Sequence, residues 1–116
     1  MRIDDIVSRL STITDVPLAY FKFPIATQPP FMVYLIKNEK LSGSDDKNLI
    51  RQYTCRIELY TANKDFDLQE KIEKLFDDVE IDVDTVWIDE EKLYLTAFEF
   101  ITFDKLFKPT EVGEEE

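Results

Sequence analysis

The sequence predicts an α+β domain in which a mostly antiparallel sheet of four to five strands carries two helices on one face. Two segments, residues 2–13 and 65–78, place apolar residues at helical spacing. Residues 49–61 alternate apolar and polar side chains, as a strand with one buried face does. Four further segments have the length and composition of strands. The predicted order is α-β-β-β-α-β-β, which is typical of the α+β class.

The first helix is predicted over residues 2–13. Asp4 and Asp5 lie in its first turn, where the helix dipole favours negative charge. Pro17 ends the helix, because the residue before a proline avoids helical backbone angles. A short strand is expected over residues 18–23. The apolar stripe of the helix consists of Ile3, Ile6, Val7, Leu10 and Ile13.

A buried strand is predicted over residues 31–37, FMVYLIK, directly after the pair Pro29-Pro30. The prolines lack backbone N–H donors, so the strand begins after them. Because it is apolar on both faces, we expect a central position with cover on each side. The polar residues 38–48 are predicted to be a loop, either a plain linker or a projecting arm that contacts a partner. Residues 49–61 then pair with 31–37 as an antiparallel hairpin.

The second helix is predicted over residues 65–78, DFDLQEKIEKLFDD. Asp67 and Glu70 have the spacing of a capping box, with Asp in place of the usual Ser or Thr. Two strands follow, over residues 83–89 and 93–104, and a tight acidic turn joins them. The apolar stripe of the helix consists of Phe66, Leu68, Ile72, Leu75 and Phe76.

The 116 residues suit a single domain, predicted over residues 1–106, with an acidic flexible tail over 107–116. No apolar run is long enough to cross a membrane. The first ten residues carry charges where a signal peptide would be apolar, so no export signal is predicted. Cys55 is the only cysteine and cannot form an internal disulfide, which fits a reducing cytoplasm.

Little in the composition supports catalysis. The chain has no histidine, the usual participant in acid–base chemistry and in most zinc sites. Its two glycines are far apart, so no phosphate-binding loop can be formed. The net charge of −11 repels phosphate backbones and disfavours direct binding of nucleic acid. We therefore predict no enzyme activity, no cofactor and no catalytic residue.

Three features allow a functional interpretation beside a plain one. Acids alternate along residues 78–84 and would suit calcium, but the missing turn glycine favours a solvated strand edge and no metal site. Cys55 is interpreted as a small buried core residue rather than a reactive thiol. Trp87, the only tryptophan, is interpreted as a core residue, with an interface anchor as the alternative.

The strands over residues 31–37 and 93–104 are apolar on both faces, although two helices on one side cover only one face of a sheet. A second copy of the chain is the simplest cover for the other face. In the last strand, one face carries Leu93, Leu95, Ala97 and Ile101, and the other carries Tyr94, Phe98 and Phe100.

Three segments together resemble a known family. They are PPFMVYLI, RIELYTANKDFDLQEKIEKLF and WIDEEKLYLTAFEF, and the resemblance extends over roughly residues 1–104. In this order and spacing they resemble the small tail-completion proteins of siphophages and prophages of Gram-positive bacteria, namely the tail terminator (minor tail protein U-like) and tail-to-head joining proteins. The matching features are the Pro-Pro-aromatic strand entry, the ELYT strand end and the final strand with Tyr94 and Glu99-Phe100.

The resemblance implies a structural subunit that forms a ring, expected to be hexameric, at the head-proximal end of the tail tube. Its expected partners are copies of itself, the tail-tube protein and the head-connector proteins. DNA would pass through the lumen without specific binding, and no membrane would be involved. The expected location is the host cytoplasm during assembly and then the virion tail.

Within that expectation, subunit or partner contacts are assigned to the apolar strands and to the segment 38–48. The acidic segment 77–91 is placed where DNA passes. The expected contact residues are Phe31, Tyr34, Leu41, Asp45, Asp46, Tyr94, Phe98 and Phe100. The expected lumen-facing acids are Glu80, Asp82 and Asp84. The alternative hypothesis is a monomeric acidic adaptor or inhibitor that binds a basic partner, based on the charge and the small size.

Overall fold

The computed structural model describes residues 1–44 and 48–107. The elements are α1 (Ile3–Leu10), β1 (Leu18–Tyr20), β2 (Phe31–Ser44), β3 (Asn48–Thr61), α2 (Phe66–Leu75), β4 (Asp82–Ile88) and β5 (Leu93–Phe107). The predicted α+β class and the order α-β-β-β-α-β-β are confirmed. Of the tail predicted over residues 107–116, Phe107 is the last residue of β5, and residues 108–116 lie outside the described residues.

The five strands form one sheet in the order β1-β2-β3-β5-β4. β1 is parallel to β2, and the other three pairs are antiparallel. β3 is the central strand and pairs along its whole length, with β2 on one side and β5 on the other. The predicted hairpin of β2 and β3 is confirmed. β2, however, is the second strand of the sheet rather than the central one, because only β1 lies outside it. β1 pairs with residues 32–34 of β2 and leaves the rest of that edge uncovered.

Both helices pack on the same face of the sheet and bury the core against it. α1 contributes Ile6 and Leu10, and α2 contributes Leu68 and Ile72. All four belong to the apolar stripes that were predicted for the two helices. The alternation of β3 is confirmed, since every second side chain from Tyr53 onward is buried. The sheet supplies to this core Met32, Cys55, Ile57, Leu59, Phe98 and Phe100.

α2 differs from the prediction at its start. Its N-cap is Asp65, whose Oδ1 accepts a hydrogen bond from the Leu68 amide at 3.0 Å, so the predicted capping role of Asp67 is wrong. Phe66 follows the cap directly and points outward, with 70 % of its surface exposed. It is therefore not part of the buried stripe. A helix that begins at residue 66 turns its inner face toward the sheet two residues later, at Leu68.

The segment 38–48 was predicted to be a loop, and this is wrong for its described part. β2 continues to Ser44, and β3 begins at Asn48. A register shift between Ile36 and Asn38 marks a bulge at Lys37, where β2 passes beyond the helices. The extended parts of three strands form an arm, defined as residues 38–44, 48–54 and 101–107. Polar residues are tolerated in this part of β2 because residues 38–43 are exposed on both faces of the strand.

The arm makes the molecule long, with principal extents of 56 × 25 × 25 Å. Its radius of gyration is 17.2 Å, whereas a compact chain of this length is expected near ~13 Å. Two side-chain contacts hold the arm together on the helical side. Arg51 donates to Glu39 at 2.6 Å, and the Tyr53 hydroxyl donates to Asp104 at 3.3 Å.

Candidate interaction surface

The face of the sheet that points away from the helices is the candidate interaction surface, here called the open face. Its side chains form one column on each strand. β2 contributes Phe31, Val33 and Leu35. β3 contributes Gln52, Thr54, Arg56, Glu58 and Tyr60. β5 contributes Leu95, Ala97, Glu99, Ile101 and Phe103. β4 contributes Asp82, Asp84, Val86 and Ile88.

A charged network occupies the centre of the open face. Arg56 donates from Nε to Glu58 at 2.6 Å and from Nη1 to Glu99 at 2.7 Å. Lys37 donates to the same Glu99 carboxylate at 3.1 Å, and the Tyr60 hydroxyl donates to Glu58 at 2.8 Å. The column of β3 is thus polar throughout its centre. It divides the apolar column of β2 from that of β5, so the second apolar surface expected from the sequence is not continuous.

The network shifts the titration of its members. The hydrogen bond from Arg56 is the largest cause that lowers the pKa of Glu99, and burial acts against it. Burial opposes the charge on Arg56, but its hydrogen bonds to Glu58 and Glu99 outweigh that effect and raise its pKa. Burial and then the hydrogen bond to Glu58 raise the pKa of Tyr60. Glu99 and Arg56 therefore stay charged at neutral pH, and Tyr60 stays neutral.

The chain itself covers the apolar column of β2. The segment 21–27 folds over it, and a cleft of about 240 Å³ lies between this segment and the sheet. The ring of Phe23 meets Phe31 edge-on at 5.5 Å, and Phe31 stacks on Tyr60 at 4.8 Å. Val33 is buried. Residues that were predicted to be strand and loop therefore cover this column, for which a second copy was the simplest expected cover.

Four apolar side chains of the described sheet are exposed on this face, namely Val86 of β4 and three residues of the arm. Ile101 and Phe103 are 50 % and 54 % exposed, and Ile50 on β3 is exposed as well. These three residues are called the exposed strip. The sequence placed Ile101 on the correct face but did not select it as a contact. The alternation of residues 93–104 grouped Ile101 with Leu95, and the structure shows that their face is the one without helices.

The selected contact residues of β5 lie on the opposite side. Phe98 is fully buried and Phe100 is 3 % exposed, both within the core beneath the helices. They are not available to a partner, so their assignment to an interface is wrong. Tyr94, the third residue of that face, is half-buried against Trp87, with ring centroids 4.9 Å apart. Phe98 and Phe100 were assigned to an interface because the face that the helices cover was taken as the exposed face of β5.

The other expected contact residues are dispersed. Phe31 lies on the open face under segment 21–27, while Tyr34 lies half-buried on the helical face, 5.0 Å from the ring of Tyr20. Leu41 is exposed on the arm. Asp45 and Asp46 lie outside the described residues. The described positions among them, Phe31, Tyr34 and Leu41, do not form one surface.

The acids of the segment before and within β4 occupy different environments. Asp78 accepts two hydrogen bonds from Arg9, at 2.7 and 3.0 Å, and this ion pair lowers its pKa. Glu80 is exposed ahead of β4, and Asp82 and Asp84 are exposed on the open face. Glu80, Asp82 and Glu99 border a shallow cleft of about 360 Å³. Across residues 1–44 and 48–107, no group of three acidic or cysteine side chains is arranged to hold a metal ion.

Trp87 is 46 % exposed on β4, and its indole N–H donates to Asp89 at 3.3 Å. The core interpretation is therefore wrong, because β4 is an edge strand that passes beyond the helices. Cys55, in contrast, is buried as predicted. Burial raises the pKa of its thiol to about 12, so the cysteine is unreactive at neutral pH.

A cleft of about 510 Å³ lies beside the start of α2 and includes Pro30, Thr61 and Lys64. The ammonium of Lys64 bonds to Gln69 and to Thr85, the latter at 3.1 Å. The Thr61 hydroxyl is buried without a hydrogen-bond partner among the described residues.

A comparison of the sequence with family models and with curated proteins gives no match to either. None of the helices in the described ranges has the length and apolar character needed to cross a membrane.

Proposed function

We propose that this chain is a structural phage tail assembly protein that caps the tail tube and joins it to the head connector, without catalysis. The sequence resemblance supports the proposal, and one structural observation carries it. This observation is the exposed strip of Ile50, Ile101 and Phe103 on the arm, beyond both helices. Apolar side chains that a chain leaves in water on a projecting element are typical of contacts with other proteins.

Self-association as a ring is part of the proposal. In such a ring the open face carries Glu80, Asp82 and Asp84 toward the lumen, where negative charge keeps DNA from adhering. None of these three acids makes an ion pair with a described residue. Reversing Asp82 and Asp84 to lysine is expected to leave folding intact and to lower the yield of infectious particles. An unchanged yield would contradict this placement.

The assembly role is tested by light scattering of the full chain, alone and mixed with the tail-tube protein. We expect oligomers or a complex with the tube protein. The variant Ile101→Lys with Phe103→Lys should lose this association because it places two charges on the exposed strip. Phe66→Lys is the matched control, since Phe66 is 70 % exposed on the helical side. A wild-type chain that stays monomeric and does not bind the tube protein would refute the proposal.

A second candidate is a monomeric acidic adaptor that binds a basic partner. The unpaired acids on and before β4, together with the net charge of −11, favour it. It predicts binding to a basic protein that weakens steeply as salt is raised, because screening acts on exposed charges. The tail-tube protein would then give no complex at any salt concentration.

A further inference from the structure

Both outer edges of the sheet present strand backbone without a partner. On one side, β1 covers only residues 32–34 of β2, and the last contact is the bond from the Phe21 amide to the Tyr34 carbonyl at 2.8 Å. From Leu35 onward, the outer edge of β2 has no ladder among the described residues. On the other side, β4 pairs with β5 alone. Unpaired strand edges are templates for pairing with another chain.

The two edges carry opposite charge on the same face of the sheet. On β2, Lys40 lies opposite Gln52, and its side chain therefore belongs to the open face. On β4, Asp82 and Asp84 lie opposite Glu99 and Ala97, also on the open face. Lys40 and both aspartates are exposed. The ammonium of the bulge residue Lys37 is bonded to Glu99 at the centre of the open face, so Lys40 carries the positive charge of this edge.

Apolar side chains match in the same way on the helical face. Leu41 of β2 is 53 % exposed there, since it lies opposite Arg51 rather than over the core. Val83 and Trp87 of β4 are exposed on the helical face as well. An edge pairing that preserves the faces would thus place lysine opposite aspartate and leucine opposite valine. Both kinds of cross-strand pair are favourable.

We infer that β4 of one copy adds in antiparallel orientation to the free edge of β2 in the next copy, with Asp84 opposite Lys40 and Val83 opposite Leu41. The inference rests on the self-association proposed above and names the surfaces that carry it. Pairing between two like edges is unfavourable, because two β4 edges would place aspartates opposite each other and two β2 edges would place lysines opposite each other. The charges therefore select the unlike edge.

Strand direction agrees with this arrangement. Within one copy β2 and β3 are antiparallel, as are β3 and β5, and β5 and β4. β4 thus runs opposite to β2, and a neighbouring copy in the same orientation presents its β4 antiparallel to that edge. The contact joins different surfaces of the two copies, so each copy retains one free edge of each kind. Such head-to-tail contacts propagate and close into a ring where the rotation permits.

Charge exchange in the full chain tests the inference. Asp84→Lys and Lys40→Glu should each weaken self-association by about tenfold, since each replaces an attractive pair by a repulsive one. The double variant with both changes should recover the wild-type association, because the introduced charges are again opposite across the contact. A contact between like edges gives no such loss and recovery, since like charges face each other in the wild type and in every variant.

Glu70→Lys and Lys71→Glu are the matched controls, because both residues are exposed on α2 and change the charge by the same amounts. Sedimentation velocity measures the association of the chain alone and of the chain mixed with the tail-tube protein. If the wild type associates but single variants equal the wild type, or if the double variant is not restored, the inference is overturned and the proposed function stands. If the wild type associates under neither condition, both fail.

A cysteine pair tests the register. Antiparallel partners lie within the Cα separation that a disulfide accepts. With Asp84→Cys and Lys40→Cys in one chain, mild oxidation should give a ladder of linked copies on a denaturing gel, because each copy links to two neighbours. The chain's own Cys55 is buried and should not interfere. Dimers without higher bands, or an equal yield when Glu70→Cys replaces Asp84→Cys, would overturn the inference.

Discussion

Replacing Arg56 with methionine should reveal how much the charged network of the open face stabilises the fold. Arg56 lies at the centre of β3 and bonds to both Glu58 and Glu99 at 2.7 Å or less. Methionine has a similar length and keeps the packing of the side-chain stem, but it leaves both carboxylates without this partner. The two acids then lie close together on the sheet.

The magnitude follows from burial. Exposed ion pairs contribute about 0–1 kcal/mol, and breaking a fully buried pair costs about 3–5 kcal/mol. The side chains of Arg56, Glu58 and Glu99 are 26 %, 16 % and 27 % exposed, which lies between these limits. We therefore expect the free energy of unfolding to fall by about 2–3 kcal/mol near neutral pH.

The loss should depend on pH. The pKa of Glu99 in the folded chain is lower than its ordinary value of 4.5, chiefly because of the hydrogen bond from Arg56. A lowered pKa stabilises the folded state above the unfolded-state value, and this stability is lost as the pH falls through the folded-state pKa. The variant lacks this contribution. The difference between wild type and variant should therefore shrink when the pH is lowered from about 7 to about 3.

Urea unfolding at both pH values measures the effect. Lys37→Met is the matched control, because Lys37 bonds to the same carboxylate of Glu99 but is 45 % exposed. It should cost no more than about 0.5 kcal/mol. The reasoning fails if the arginine variant loses no more stability than the lysine variant, or if its loss is equal at the two pH values.

Three further predictions concern the helical side. Phe76→Ala should cost about 3–5 kcal/mol by creating a core cavity, whereas Phe66→Ala should change the free energy of unfolding by about 0.5 kcal/mol or less. Thermal or urea unfolding measures both, and equal losses would contradict the assigned orientation of α2. Asp65→Ala should lower the free energy of unfolding by about 1 kcal/mol because it removes the N-cap, and Asp67→Ala should lower it by less. A larger loss for Asp67→Ala would instead support Asp67 as the cap, as predicted from the sequence. Cys55 should resist thiol-labelling reagents at neutral pH until urea unfolds the chain, and rapid labelling of the native state would refute its burial.

The parts of the fold that were predicted correctly depend on strong periodicity. The strict alternation of residues 49–61 identified β3, and the spacing of Ile6 and Leu10 identified α1. The arm was missed because polar residues such as Asn38 and Lys40 can lie in a strand when both of its faces contact solvent. Composition alone does not separate such a strand from a loop, since only its pairing with β3 keeps it extended.

The candidate surface was only partly predictable for a different reason. Alternation shows which side chains share a face, as it did for Ile101 with Leu95, but it does not show which face the helices cover. Phe98 and Phe100 were assigned to the wrong side of the sheet for this reason. The cover that residues 21–27 give to β2 depends on a tertiary contact, the packing of Phe23 on Phe31, for which the sequence has no periodic signal.

The place of β5 between β3 and β4 has a consequence for how the chain reaches its native state. The hairpin of β2 and β3 joins neighbouring segments and can form early, but β4 has no ladder until β5 arrives from later in the sequence. The side of β3 that pairs with β5 also has no partner until β5 has been made. Folding that waits for such distant pairing is slow. During synthesis, therefore, the incomplete sheet would expose the unpaired backbone of β3, which favours aggregation, until β5 has been made.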